Sequence, residues 1–263
     1  MITVSIPAYK TRPDLLSRSI RSALAQADEI RVVVVNDGGP SLRGLPRDDR
    51  IILFELEENM GRYFCDAIVT EAIKDRPEEI WACLDSDDYW EPGHMERILP
   101  FMEDQAVLSP YWRSREAKGS KTLQQPSRRL KGPIPDHYVH LGHWCSGAWS
   151  SERIQRAGGI HPGFRVGFDT LFVAMINLTG PIGVAPEGGY FWCQRTEGSL
   201  TTAPQTRFGS KLRNEQKKKQ AQLYSAALLE IERDPGRIIR EDQSPLMRSL
   251  VQAYARELRR MML

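Results

Sequence analysis

Residues 30–39 read "IRVVVVNDGG", with four valines in succession. A β-branched run without polar alternation is the pattern of a strand covered on both faces, as in the middle of a parallel sheet. It ends at Asn36-Asp37-Gly38-Gly39, a turn sequence whose glycines permit positive φ and close backbone approach. Upstream, "MITVSIPAY" (1–9) reads as a second strand, and "PDLLSRSIRSALAQ" (13–26) as a helix with Leu15, Leu16, Ile20 and Leu24 on its apolar face. Downstream come a strand, "IILFEL" (51–56), a helix of about a dozen residues from Arg62, and "IWACLDSDD" (80–88), a strand that runs into acid. Strand, helix, strand, repeated, predicts a doubly wound α/β domain with right-handed crossovers. Ligands of such sheets bind beyond the carboxyl ends of the strands. The loops "NDGG", "ENMGR" (58–62) and "DSDD" (85–88) are therefore expected to meet at one edge.

The chain has 263 residues, enough for one large domain or two small ones. Hydrophobic residues at 41% and charged residues at 27% are ordinary for a soluble globular protein. A net charge of +2 leaves any preference for an anionic partner to local patches. No apolar run approaches the roughly 18 residues of a membrane span. The four cysteines, Cys65, Cys83, Cys145 and Cys193, form no CxxC pair, and the chain opens on a strand-like stretch without a signal-type leader; a reducing, cytoplasmic setting is the expectation.

Asp85, Asp87 and Asp88 stand within four positions after an apolar run. A solvated turn or a helix cap would account for them. Their place at the end of a buried strand points instead to a hard divalent cation, Mg2+ or Mn2+, which takes one or two carboxylates and completes its shell with water and phosphate oxygens. Pro7, Ala8 and Tyr9 end the first strand, where backbone and a ring can hold a base, and Asp37 can accept from a nucleobase or ribose.

The character changes after Ser109. Residues 113–143 are polar with little periodicity and carry Arg113, Arg115, Lys118, Lys121, Arg128, Arg129 and Lys131; a second basic cluster comprises Lys211, Arg213, Lys217, Lys218 and Lys219. Such stretches are either solvated loops or surfaces for an anionic acceptor, nucleic acid included. His137, His140 and His143, with Cys145, form a weaker alternative, a zinc site, although their spacing suits neither a helical nor a strand face. "GFDTLFVAMINLTG" (167–180) reads as a helix and "GYFWCQR" (189–195) as a strand. From Phe208 the pattern is helical, and the last helix sets Leu246, Leu250, Tyr254, Leu258 and Met262 on one stripe. That stripe packs on its own domain in the preferred reading; a membrane surface or a second copy, giving a homodimer, are the alternatives. The expected organisation is residues 1–204 as one domain, with halves 1–108 and 109–204, and 205–263 as a helical extension.

"VSIPAYKTRPDLLSRSIRSAL", "VVVVNDGG", "ENMGR", "CLDSDDYWEP", "WCSGAWSSERIQRAGGIHPGFRVGFDTLF" and "YFWCQRTEGSLT" occur in this order across about 200 residues. Together they resemble the family-2 glycosyltransferases, inverting enzymes of the GT-A fold. The resemblance implies a nucleotide site at Pro7, Ala8, Tyr9, Asp37, Gly61 and Arg62. It implies that Asp85, Ser86 and Asp87 hold the diphosphate through Mn2+ or Mg2+, Asp87 most directly. Asp88 would orient the sugar or support the loop, and Trp144, Ser146, Gly147 and Phe168 would line the sugar and acceptor pocket. The family's catalytic base opens a helix in an acidic pair; the matching position is Asp169, with Phe168 in place of the first acid. Two further departures stand out. The family's Arg-Asn after the third-strand glycine is missing, which moves the nucleotide-facing role to Arg62. Its late Arg-x-His is reduced to Arg195.

The implied function is metal-dependent transfer of a sugar from a nucleotide donor, a UDP-sugar by family habit, to an acceptor hydroxyl. Two other classes stay open. A non-catalytic GT-A-like protein would use the platform to bind a polyanion or nucleic acid. A nucleotidyltransferase would need a glycine- and lysine-rich phosphate loop, which "PAYKTRPD" lacks. Fold alone does not choose the acceptor.

Overall fold

The first half of the chain runs β1 (Ile2–Ala8), α1 (Pro13–Leu24), β2 (Ile30–Asp37), β3 (Ile51–Leu56), α2 (Arg62–Ala72) and β4 (Ile80–Cys83). These elements come from a computed structural model that describes residues 1–115, 119–126, 142–194, 204–207, 209–239 and 244–263. The four strands are parallel, in the order β3-β2-β1-β4. Val32 to Val35 are wholly buried, so the valine run is the centre of the sheet, as its composition requires. Strand order reverses between β1 and β4, and at such a switch point the loops diverge and leave a crevice beyond the strand ends. The loops after Ala8 and Cys83 both open there.

The second half adds β5 (Tyr89–Trp90), α3 (His94–Ile98), β6 (Ala106–Leu108), β7 (Tyr111–Arg115), β8 (Ser120–Gln124), β9 (Ala148–Ser150), α4 (Ser151–Arg156), α5 (Phe168–Leu178), β10 (Gly183–Val184), β11 (Tyr190–Gln194), α6 (Lys211–Arg233) and α7 (Pro245–Met261). β9 is antiparallel to both β4 and β6, and β10 completes a seven-stranded sheet of order β10-β6-β9-β4-β1-β2-β3. A second sheet, β5-β11-β7-β8, stands beside the crevice. Here the structure corrects the sequence reading. Part of the segment taken as aperiodic is a ladder of two antiparallel strands, Tyr111 opposite Gln124 through Arg115 opposite Ser120. β8 is an exposed edge of mostly polar residues, so pairing with β7 makes it a strand, without the apolar alternation that would announce one.

The C-terminal helix packs on α2. Tyr254 meets Phe54 and Phe64 edge-on, with centroids 6.1 Å apart in each case. Val251, Ala255, Leu258 and Met262 are buried, whereas Leu246, which the sequence put on the same stripe, is 68% exposed. The Arg259 guanidinium donates to the carbonyls of Ala72 (2.9 Å) and Glu71 (3.0 Å) and pairs with Asp75, satisfying the orphan carbonyls at the C-terminus of α2. Most of the apolar stripe, from Leu250 to Met262, is thus packed within the chain. Among the described residues no helix is long and apolar enough to cross a membrane. All four cysteines are buried free thiols.

Candidate active site

The acidic turn is built first by its own backbone: the N–H of Asp88 donates to the carbonyl of Asp85 at 3.0 Å. It is then pinned from α1 and the loop before it. Ser19 donates to the Asp85 carbonyl (3.0 Å), Arg18 to the Asp87 carbonyl (2.8 Å), and Thr11 and Ser86 share a hydroxyl contact of 2.7 Å. Further along the same helix Ser22 accepts from the Trp90 N–H, and just past its end Gln26 bonds Glu91 and Met95. Arg18, Ser19, Ser22 and Gln26 recur at helical spacing and form a polar row that clamps residues 85–95. Asp88 secures the far side. It is 1% exposed and accepts from the Tyr190 hydroxyl (2.5 Å) and the Cys193 N–H (2.7 Å), tying the turn to β11. Burial, with the like charges of Asp85 and Asp87, pushes its carboxyl well above the usual range. Both oxygens of the Asp88 carboxylate are thus engaged with β11.

Asp85 is answered by an arginine. The Arg62 guanidinium pairs with Asp85, reaches Asp66 with Nε at 3.5 Å, and lies over the Trp144 ring at 4.8 Å. Burial works against its charge, but Asp85 and Asp66 more than offset that and hold it well above the ordinary arginine value. Asp66 is fully buried; desolvation raises it to about 7 against the pull of Arg62 and a hydrogen bond from Ser5. Asp37 sets the loop that presents Arg62. Its carboxylate accepts from the N–H groups of Met60 (2.6 Å) and Gly61 (2.9 Å) and from Asn59 (3.0 Å). Gly38 has φ +67°, and a Cβ there would collide with the backbone of Glu58 and Asn59, which is why glycine follows Asp37. Gly61, at φ +94°, is the residue from which α2 starts. Asp37, expected to face a base or ribose, thus spends its acceptors on its own protein.

The next residue of α2 reaches the other carboxylate. Tyr63 donates to Oδ1 of Asp169, in the first turn of α5, at 3.2 Å. The Tyr63 ring meets Trp144 and Phe168 edge-on, with centroids 5.5 Å away in both cases. Trp144 and Phe168 are wholly buried, joined to Trp81 and Phe172 in one aromatic cluster. They are the floor beneath the carboxylates and not a surface for a sugar; a ring with no exposed face cannot stack on a ligand. Ser146 is likewise buried and donates to main-chain carbonyls of Ser109 and His143. Gly147 packs against the Val107 carbonyl with no room for a side chain. Pro7 and Ala8 close β1, and Tyr9, 45% exposed, stands at the mouth. The opposite wall carries His143 among Tyr111, Tyr190 and Trp192, with centroids 5.0–5.6 Å from its own. Burial would lower the His143 imidazole, but Cys145, Asp85 and Asp169 raise it.

Residues 3–161 match the sequence profile of glycosyl transferase family 2. The chain belongs to that family. It is a glycosyltransferase. Its fold is that of GT-A neighbours: the chain superposes on S. aureus TarS 1–349 in complex with UDP-GlcNAc with a TM-score of 0.62 at 16% identity, over 96% of this chain and 70% of that one. Against S. aureus TarS the TM-score is 0.53 at 16% identity, covering 86% and 43%, and against TarS 1–349 in complex with UDP it is 0.52 at 14%, covering 89% and 73%. No protein of curated function matches the sequence.

For this glycosyltransferase the metal question turns on the donor set. Asp85 and Asp87 stand on one hydrogen-bonded turn, and among the described residues no group of three or more His, Cys, Asp or Glu side chains could hold an ion. Two hard oxygen donors suit Mg2+ or Mn2+ with most of the shell left to water and phosphate, and do not suit zinc. His137, His140 and Arg195 lie outside the described residues. His143 turns its Nδ1 to the Cys145 N–H at 3.3 Å. Two features escaped the sequence reading. The clamp on α1 was legible as a second, polar periodicity opposite the apolar one. Tyr63 gave no local signal, because only the packing of α2 against α5 brings it to Asp169.

Proposed function

We propose that this glycosyltransferase moves a sugar from a nucleotide donor, a UDP-sugar, to an acceptor hydroxyl with inversion. One observation carries the reading: consecutive residues of α2, Arg62 and Tyr63, hold Asp85 and Asp169, so the diphosphate end and the acceptor end of the reaction share one helical turn. The nucleotide sits toward Pro7, Ala8 and Tyr9, and Asp85, Ser86 and Asp87 face the diphosphate. Asp169 accepts the proton of the acceptor hydroxyl as its oxygen bonds to the anomeric carbon. The bond from that carbon to the phosphate oxygen breaks on the opposite face, and its electron pair leaves with the nucleoside diphosphate. Mn2+ or Mg2+, held by Asp87 with Asp85, would supply positive charge to that leaving diphosphate. Arg195 is the further phosphate contact expected from the sequence.

The UDP-GlcNAc carried by the matched TarS structure supports a uridine donor and makes that compound the first to try. The acceptor side presents Arg113, with Nε on Gln194 at 2.7 Å and its guanidinium over Trp192, and the neighbouring Arg115 and Lys121. This charge favours an anionic acceptor. General-base help is worth about 10²–10⁴-fold. UDP release from UDP-GlcNAc with Mn2+, water serving as acceptor, is expected to fall by that order in Asp169→Asn with donor affinity kept. Unchanged release in the variant would remove Asp169 from the chemistry.

A further inference from the structure

Arg62 stands where a cation for the acidic turn belongs. It pairs with Asp85 on one side and Asp66 on the other, and its flat face rests on Trp144. Its α2 backbone is fixed by the Asp37-bound loop, so the guanidinium is delivered by the fold and not by a wandering side chain. The Asp85 side chain is 26% exposed and that of Arg62 15%, so the pair lies at the boundary between protein and crevice, where an incoming ion can reach the carboxylate. A carboxylate oxygen that accepts from a guanidinium cannot at the same time give the same lone pair to a metal.

We propose that Arg62 is the resident counter-ion of Asp85 and competes with the divalent cation for it. This rests on the reading of Asp85 and Asp87 as the metal and diphosphate site. An ion that takes Asp85 releases Arg62 from half of its compensation, and a buried guanidinium left short of an anion is costly. A diphosphate arriving at the same crevice restores the missing negative charge, and guanidinium groups bind phosphate oxygens in a matching fork. Metal and nucleotide therefore bind together, each compensating what the other displaces, and the metal alone binds weakly.

The test uses Mn2+ alone, counted as the free hexa-aquo ion by electron paramagnetic resonance, against wild type, Arg62→Gln, and Arg62→Gln combined with Asp85→Asn. Arg62→Gln is expected to tighten Mn2+ binding about tenfold, and the added Asp85→Asn to abolish the gain. With UDP present, Mn2+ is expected to bind the wild type more tightly, with a smaller increment in Arg62→Gln. If Arg62→Gln leaves Asp66 uncompensated and the protein unfolds, Arg62→Gln with Asp66→Asn removes the buried charge with its partner, and the same tightening is expected. Equal or weaker Mn2+ affinity in the folded variants overturns the proposal. If UDP-sugars still bind in that case, the transferase reading survives and only the competition falls.

Discussion

The Tyr63 hydroxyl reaches Oδ1 of Asp169 at 3.2 Å across 106 residues of sequence, from a ring that is 4% exposed. A carboxylate so held has one oxygen occupied and the other left to meet an acceptor proton. Tyr63→Phe keeps the ring and its edge contacts with Trp144 and Phe168. We expect kcat for donor turnover to fall about tenfold, the worth of one hydrogen bond to a charged group, with the donor KM within twofold. An unchanged kcat would show that this bond does not orient the base.

Asp66 makes stability depend on pH in an unusual direction. In the unfolded chain an aspartate titrates near 3.9; in the fold Asp66 is raised to about 7 by burial. The native state therefore holds a proton that the unfolded state has lost. That contribution is fully present below about pH 4 and disappears as pH rises through about 7, with a slope no steeper than about 1.4 kcal/mol per pH unit. Urea midpoints between pH 4.5 and 7.5 should show this decline in wild type and a flatter profile in Asp66→Asn. A decline of equal slope in the variant would assign it to other groups.

Arg259 fastens the C-terminal extension. It donates to two carbonyls that end α2 and pairs with Asp75. Arg259→Ala is expected to lower unfolding free energy by about 1–2 kcal/mol, read by urea denaturation, and Arg259→Lys to recover part of it. A loss within error would mean that the packing of Tyr254, Val251 and Leu258 alone docks α7.

Much of this was legible in the chain, for physical reasons that differ from place to place. Val32 to Val35 announce their burial because an unbroken β-branched run suits a strand covered on both faces. "DSDD" announces a site because three acids directly after a buried strand need an answering charge. The answer itself could not be seen: Arg62 is 23 residues from Asp85, and the strand order β3-β2-β1-β4 is what closes that distance. Trp144 and Phe168 were placed on the pocket wall because composition cannot tell a ring that lines a cavity from one that floors it. Asp37 was read toward the ligand, whereas its carboxylate binds the loop that follows β3, whose last residue, Leu56, lies opposite Asp37 in the sheet. β8 was missed because an exposed edge strand owes its shape to its partner.

The central claim is a nucleotide-sugar site organised by the acidic turn, and calorimetry with UDP-, GDP-, dTDP- and CMP-sugars, with and without Mn2+, tests it most directly. We expect one donor class, the UDP-sugars, to bind in a Mn2+-dependent way to wild type, and this binding to be lost in Asp87→Ala. A folded wild-type protein that takes up none of the four donors with Mn2+ present, or an Asp87→Ala variant that binds as well as wild type, would contradict the account.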